Sequence, residues 1–142
     1  MRIAVDFDGT IVEHRYPQIG EEKLFAFETL KQLQKYGHLL ILWTFRHGRE
    51  LEEAIEYCSK KGIEFYAINK SYPEEDFDPT QASRKIDADL YIDDRNVGGF
   101  PGWSEIWQLI NPDSMDSEYN DLSSLSGKGD FSVGSRLKKL FK

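Results

Sequence analysis

Cysteine is almost absent from this sequence of 142 residues, and no hydrophobic run is long. The single cysteine, Cys58, excludes an intrachain disulfide and a cysteine-rich zinc site. No apolar run approaches the ~20 residues that a membrane helix needs, so we expect no membrane partner. The first residues enter a predicted strand at once, which leaves no visible signal peptide. Together these absences favour a location in the cytoplasm.

Basic residues are also in deficit. Lysine and arginine number 18 against 25 acidic residues, which gives a formal net charge of −7. This balance disfavours a nucleic-acid-binding surface and allows a metal cation to enter an acidic cleft easily. A phosphorylated substrate would need local positive charge to offset the repulsion. The length and ordinary composition predict one folded domain with a real hydrophobic core.

The chain alternates between predicted strands and helices. Apolar runs predict strands at residues 2–5, 38–43, 63–68 and 90–92, and helical periodicity predicts helices at 21–36, 47–61 and 103–110. Gly37 and Gly62 are the expected C-terminal stops of the first two helices. The alternation predicts the α/β class: a three-layer, Rossmann-like parallel sheet with helices on both faces.

The composition changes near residue 112. We therefore predict a folded domain over residues 1–112 and a C-terminal tail over 113–142. The tail is rich in Ser, Asp and Gly and ends in a short basic segment, residues 136–142, with an apolar stripe. We expect that segment to form a short amphipathic helix.

Polar side chains follow three of the predicted strands: Asp6 and Asp8, then Thr44, then Asp93 and Asp94. Because the carboxyl ends of parallel strands meet at one edge of a sheet, we expect these residues to lie together, with Lys85 leaning over the same edge. Carboxylates suit a hard cation such as Mg²⁺. A hydroxyl, an ammonium and the backbone N–H groups of Gly9 and Thr10 suit the oxygens of a phosphoryl group.

These residues resemble the four ordered motifs of the haloacid dehalogenase (HAD) superfamily of phosphohydrolases. The motifs are Asp6-Phe7-Asp8-Gly9-Thr10, Thr44, Lys85 and Tyr91-Ile92-Asp93-Asp94. The resemblance covers about residues 1–110 and makes 1–112 a HAD-like catalytic domain. Neither gap between the first three motifs can house a further folded domain, so the chain is similar to capless members of the superfamily.

The resemblance implies a Mg²⁺-dependent phosphatase that hydrolyses a phosphomonoester through an aspartyl-phosphate on Asp6. Asp8 would be the general acid and then the base that activates water. The metal ligands would be the side chains of Asp6 and Asp93 and the backbone carbonyl of Asp8, with Asp94 acting through water or orienting a ligand. Thr44 would hydrogen-bond a phosphoryl oxygen, and Lys85 would neutralise charge on the phosphoryl group and on Asp6.

Several alternatives stay open at this point. Arg84 and Lys70 compete with Lys85 for the motif lysine. Arg46 and His47 either contact substrate or open the second helix. The same core could serve a phosphotransferase or mutase, or a non-catalytic module that binds phosphate or Mg²⁺. The sequence identifies neither the phosphorylated substrate nor the oligomeric state, and a homo-oligomer is compatible with it.

Overall fold

A four-stranded parallel sheet organises the chain. The computed structural model describes residues 1–112 and has the strands β1 (Arg2–Val5), β2 (Leu39–Leu42), β3 (Ala67–Ile68) and β4 (Leu90–Ile92) in the order β3-β2-β1-β4. The helices are α1 (Ala26–Lys35), α2 (Gly48–Lys60) and α3 (Trp103–Ile110). The α/β class and the parallel sheet predicted from the sequence are confirmed.

Strand β1 lies between β2 and β4, so the direction of the chain across the sheet reverses at β1. Such a switch point opens a crevice at the carboxyl ends of the strands, which is where open α/β sheets bind ligands. Residues 1–107 form one compact unit, and every side chain discussed below belongs to it. Residues 108–112, which include the end of α3, belong to a second unit.

The two faces of the sheet are covered differently. The successive crossovers from β1 to β2 and from β2 to β3 run in one direction, so the right-handed rule places α1 and α2 on the same face. Phe27 of α1 and Tyr57 of α2 meet edge to face, with ring centroids 5.8 Å apart. On the other face Ala4 and Ile41 pack with Ile86, which comes from the irregular connection between β3 and β4.

Helix α1 begins five residues later than the periodicity predicts. Residues 21–23 pair with residues 11–13 instead: Glu13 donates its N–H to the carbonyl of Glu21, and Lys23 donates to Ile11. Phe25 then takes a left-handed backbone conformation, with φ of 63°, immediately before the helix. The predicted start at residue 21 is wrong because backbone pairing with the loop after β1 captures these residues.

Strand β3 is shorter than predicted, with two residues instead of six. The Ile63 N–H bonds back to the carbonyl of Cys58, and the Gly62 N–H bonds to Ser59. This pair of bonds is a Schellman motif that ends α2, and the φ of 85° at Gly62 permits it. Gly37 ends α1 in the same way, with φ of 83°, so both predicted glycine stops are confirmed.

Two other predictions concern membrane association and the C-terminal tail. In residues 1–112 no helix combines the length and apolar character needed to cross a membrane. The predicted tail, including its basic amphipathic segment, lies outside the described residues. The domain boundary at residue 112 stays a prediction.

Candidate active site

Three carboxylates meet where β1 and β4 end. Val5 pairs with Ile92, and the Asp6 N–H donates to the Ile92 carbonyl at 2.9 Å, so the chain places Asp6 beside Asp93. Asp6, Asp93 and Asp94 each present a carboxylate oxygen, and these oxygens lie within 4.8 Å of one another. This acidic trio is the convergence that the strand ends predict. It arises from distant segments because a parallel sheet gathers carboxyl ends at one edge.

Thr10 ties the acidic trio together. Its hydroxyl donates to Oδ2 of Asp6 at 2.9 Å and accepts the N–H of Asp94 at 3.0 Å. The Thr10 side chain is buried, and the indole of Trp103 donates to its carbonyl at 2.8 Å. Thr10 therefore positions the carboxylate of Asp6 and the backbone of Asp94.

The predicted phosphoryl contacts of the Gly9 and Thr10 backbone are not supported by the hydrogen bonds. The Gly9 N–H donates to the carbonyl of Val12 at 2.7 Å, and the Thr10 N–H donates to Phe7 at 3.3 Å. Both amides serve the tight turn after β1, so they are not free donors for a ligand.

The carboxylates of the acidic trio are partly buried and repel one another. The pKa of Asp6 is raised to about 7, chiefly by burial; the hydrogen bond from Thr10 lowers it, and charge repulsion from Asp93 and Asp94 adds to the rise. Oδ1 of Asp94 is buried and has no hydrogen-bond partner among the described residues. Oxygens around an octahedral Mg²⁺ lie about 3 to 4 Å apart, which is compatible with carboxylate oxygens that lie within 4.8 Å of one another. A cation bound by these oxygens would relieve both the repulsion and the unpaired oxygen, so the residues fit Mg²⁺.

The metal-free protein is expected to lose stability as pH rises from about 4 to about 7. The pKa of Asp6 is about 7 in the folded protein, against an ordinary value of 3.8 for aspartate, so the folded state binds the proton more tightly across this interval. A difference of that size corresponds to about 4 kcal/mol. Chemical denaturation in a chelator should show this fall, and Mg²⁺ should restore stability above pH 7 because it binds the ionised form.

Asp6→Asn is the control for this pH dependence, since asparagine does not titrate and keeps an oxygen for Thr10. The variant should show a flatter stability profile between pH 4 and 7. An unchanged slope would mean that another group causes the loss.

Gly9 lies against the carboxylate of Asp94. Its φ is +92°, and a Cβ at this position would come within 2.7 Å of the Asp94 Cγ. Gly98 has a similar φ of +96° but nothing within 4 Å of an added Cβ. A substitution at Gly98 therefore measures the cost of backbone strain alone, whereas one at Gly9 adds a steric clash with Asp94.

Gly98→Ala should lower the free energy of unfolding by about 1 kcal/mol, the usual cost of a left-handed residue with a side chain. Gly9→Ala should cost more, about 2 to 4 kcal/mol, and should also weaken Mg²⁺ binding because Asp94 must move. Denaturation and Mg²⁺ titration of both variants check this. Equal losses at the two positions would show that the Asp94 contact has no energetic weight.

The side chain of Asp8 lies outside the acidic trio. Its Oδ2 and Oδ1 accept bonds from Nε and Nη2 of Arg46, both at 2.7 Å. The remaining guanidinium N–H groups donate to the carbonyls of Pro17, Gln18 and, at 3.5 Å, Glu50. Arg46 is only 1% exposed, and its Cζ lies 5.0 Å from the Phe7 ring centroid. The predicted metal-ligand role of Asp8 is therefore confined to its backbone carbonyl, which is the atom that the resemblance implies.

A cavity of about 540 Å³ opens beside these groups. Its lining combines the carboxylates of both strand ends with polar, cationic and aromatic side chains: Asp6, Asp8, His14, Tyr16, Trp43, Thr44, Phe45, Arg46, Asp93 and Arg95. Thr44 lies in the cavity as predicted, and its Oγ1 accepts the Arg46 N–H at 3.1 Å.

Asn69 is a functional neighbour that the sequence reasoning missed. Its Oδ1 accepts the N–H of Thr44 at 2.8 Å, and its φ of 53° marks a sharp turn directly after β3. The rule that found Thr44, a polar residue directly after an apolar strand, would also have found Asn69. Asn69 was not predicted in this way because β3 has only two residues, so the end of this strand is not obvious from the sequence.

The lysine and histidine residues that the sequence offered as site residues lie outside the cavity lining. The Lys85 ammonium sits 5.3 Å from the Tyr91 ring centroid and is exposed, and Lys70 is directed to the carbonyl of Glu75. His47 is exposed immediately before α2. None of these three side chains is among the described residues that line the cavity.

The cavity lining includes Arg95 and His14, whereas it does not include the predicted lysine, Lys85. Arg95 lines the cavity, and its guanidinium lies 3.2 Å from Nε2 of His14. The backbone N–H of Arg95 also donates to Oδ1 of Asp93 at 2.8 Å. Arg95 directly follows Asp93 and Asp94 in the chain.

The comparison with solved structures finds a close relative. The chain is similar to a conserved protein coded by a locus from Bacteroides thetaiotaomicron, with 62% sequence identity and a TM-score of 0.74 over 79% of this chain and 90% of that chain. The chain therefore belongs to the same family as that conserved Bacteroides protein. No family model and no curated protein matches the chain.

Proposed function

We propose that this protein is a Mg²⁺-dependent phosphatase that hydrolyses a phosphomonoester through a covalent aspartyl-phosphate on Asp6. The observation that carries this proposal is the acidic trio at the switch point of the sheet, with one buried carboxylate oxygen that has no partner among the described residues. The HAD resemblance of the motifs, in its capless form, supports the same conclusion.

Asp6 is the proposed nucleophile. Its carboxylate oxygen attacks phosphorus, and the bond from phosphorus to the leaving oxygen breaks. Thr10 holds Oδ2 of Asp6 through a hydrogen bond and so fixes which oxygen faces the cavity. Asp6, Asp93 and Asp94 would hold Mg²⁺, which when bound supplies positive charge to the phosphoryl oxygens. Thr44 and Arg95 line the cavity as hydrogen-bond donors for those oxygens.

We assign Asp8 to the second step, the attack of water on the aspartyl-phosphate. Each oxygen of Asp8 accepts a single bond from Arg46, and a carboxylate oxygen has a second lone pair. The side chain is 12% exposed and lines the cavity, so a water there can donate to it. Asp8 would accept the proton of that water. The same lone pair would carry the proton in its predicted earlier role as general acid.

Other functions remain proposals on the same geometry. A phosphotransferase or mutase would differ only in the acceptor that replaces water. A non-catalytic phosphate- or Mg²⁺-binding module would need the acidic trio but not Asp8. We also propose a cytoplasmic location for this protein.

The proposal is tested by hydrolysis of a generic aryl phosphate with and without Mg²⁺. We expect turnover that requires Mg²⁺ and stops in chelator, because three close carboxylates repel an incoming phosphate dianion without the cation. A panel of sugar phosphates, nucleotides and phosphoamino acids extends the assay. Binding of phosphate without turnover of any panel member would favour the non-catalytic module.

A further inference from the structure

Aromatic side chains line part of the cavity that the proposed chemistry does not use. Tyr16, Trp43 and Phe45 all lie in its wall. Phe45 is 96% exposed, and Tyr16 is 45% exposed. A phenylalanine in this state contributes little to the core, and aromatic side chains that line a concave site commonly contact a ligand. The rings are therefore available to whatever enters the cavity.

The aromatic wall begins next to the polar groups. Trp43 and Phe45 flank Thr44 in the chain, and the Tyr16 ring centroid lies 5.2 Å from Cζ of Arg46, whose guanidinium holds Asp8. A phosphoryl group at the acidic trio would share the cavity with these rings.

With Mg²⁺ held by the acidic trio, two side chains of the lining could assist a phosphorylated ligand. Arg95 and His14 offer cationic or hydrogen-bonding groups, and Arg95 is held at Asp93 by its backbone N–H. A volume of about 540 Å³ falls in the range of small-molecule sites. The lining therefore presents an anion-binding end and an aromatic end, at a size suited to a small molecule.

We propose that the substrate is an aryl phosphate, a phosphomonoester whose bridging oxygen is attached directly to a planar aromatic ring. This inference rests on the proposed function. The Asp6 oxygen forms a bond to phosphorus while the bond from phosphorus to the aryl oxygen breaks, and the electron pair leaves with the phenolate. Water then attacks phosphorus, Asp8 accepts its proton, and the bond to Asp6 breaks, which releases inorganic phosphate. The phenolate takes a proton from solvent.

Binding of three phosphonates tests the inference without turnover. Phenylphosphonate, cyclohexylphosphonate and methylphosphonate share one anionic head and differ in the attached group. With Mg²⁺ present, calorimetry should give phenylphosphonate an affinity about tenfold above that of methylphosphonate and several-fold above that of cyclohexylphosphonate. The aromatic preference is expected because ring–ring contacts exceed the contacts of an aliphatic ring of similar size.

Variants of Phe45 test whether this side chain causes the preference for phenylphosphonate. Phe45→Ala should remove most of the gain of phenylphosphonate over methylphosphonate, because it deletes one wall of the cavity. Phe45→Leu keeps apolar area without a ring, so it should keep the gain over methylphosphonate and lose the preference for phenyl over cyclohexyl. Both variants should fold normally, since Phe45 is exposed.

Three results would overturn the inference: equal affinity for phenyl- and cyclohexylphosphonate, no measurable binding of any phosphonate, or an aromatic preference that survives Phe45→Ala. These outcomes are distinguishable from failure of the proposed function. Turnover of alkyl and aryl phosphates without aromatic preference would leave the phosphatase standing and remove the aryl specificity. Aromatic preference in binding without turnover of any phosphate would remove the phosphatase proposal and leave the preference of the cavity for an aryl group.

Discussion

Asp6→Asn is expected to lower kcat for an aryl phosphate by about 10³-fold or more while the protein stays folded. The amide cannot attack phosphorus, so the covalent route is closed. The fold should survive because the asparagine oxygen still accepts the Thr10 hydroxyl, and the change removes a carboxylate whose burial and neighbours oppose its charge. Steady-state kinetics with Mg²⁺ and a thermal melt measure the two effects separately.

Asp89→Asn is the matched control. Asp89 precedes β4 at the opposite edge of the sheet, where it accepts the N–H of Arg2. This variant makes the same chemical change away from the cavity and should turn over at the wild-type rate. Equal activity of Asp6→Asn and wild type would remove the covalent mechanism, whatever the fate of the control.

Arg46→Met is expected to cost about 3 to 5 kcal/mol of unfolding free energy, because it leaves the Asp8 carboxylate without its cation. The guanidinium also donates to the carbonyls of Pro17 and Gln18 and lies over the rings of Phe7 and Tyr16. Methionine fills similar volume but makes none of these polar bonds. Denaturant titration should show the loss as a lower midpoint.

Arg49→Met is the control for the loss of stability, because it removes an arginine from an exposed ion pair instead of a buried one. Arg49 pairs with Glu53 at 2.8 Å on the surface of α2, and its side chain is 85% exposed. Surface pairs of this kind contribute about 0 to 1 kcal/mol, so its loss should be small. If the two arginine variants lost equal stability, the pair of Asp8 with Arg46 would not be the anchor that its burial indicates.

The convergence of Asp6, Asp93 and Asp94 could be predicted from sequence because it needs only the polarity of strand ends and the rule that parallel strands share an edge. The same rule placed Thr44 correctly. These predictions depend on topology, and the alternation of strand and helix is a strong signal of topology.

The partner of Asp8 could not be predicted in this way. Arg46 reaches Asp8 from the segment between β2 and α2, and nothing in local periodicity indicates which nearby carboxylate a buried arginine will bind. The placement of Lys85 outside the cavity lining could not be predicted for a related reason. The connection between β3 and β4 is irregular, so its side chains do not follow a repeating pattern. The start of α1 was missed because long-range pairing of residues 21–23 outweighed helical periodicity.

Rapid acid quenching during turnover of an aryl phosphate in Mg²⁺, followed by peptide mass spectrometry, tests the central claim most directly. We predict one phosphoryl group on the peptide that contains Asp6, labile to hydroxylamine as an acyl phosphate is, and absent from Asp6→Asn. Turnover in wild type with no phosphoryl group on the protein, or with the group on another side chain such as His14, would contradict the account.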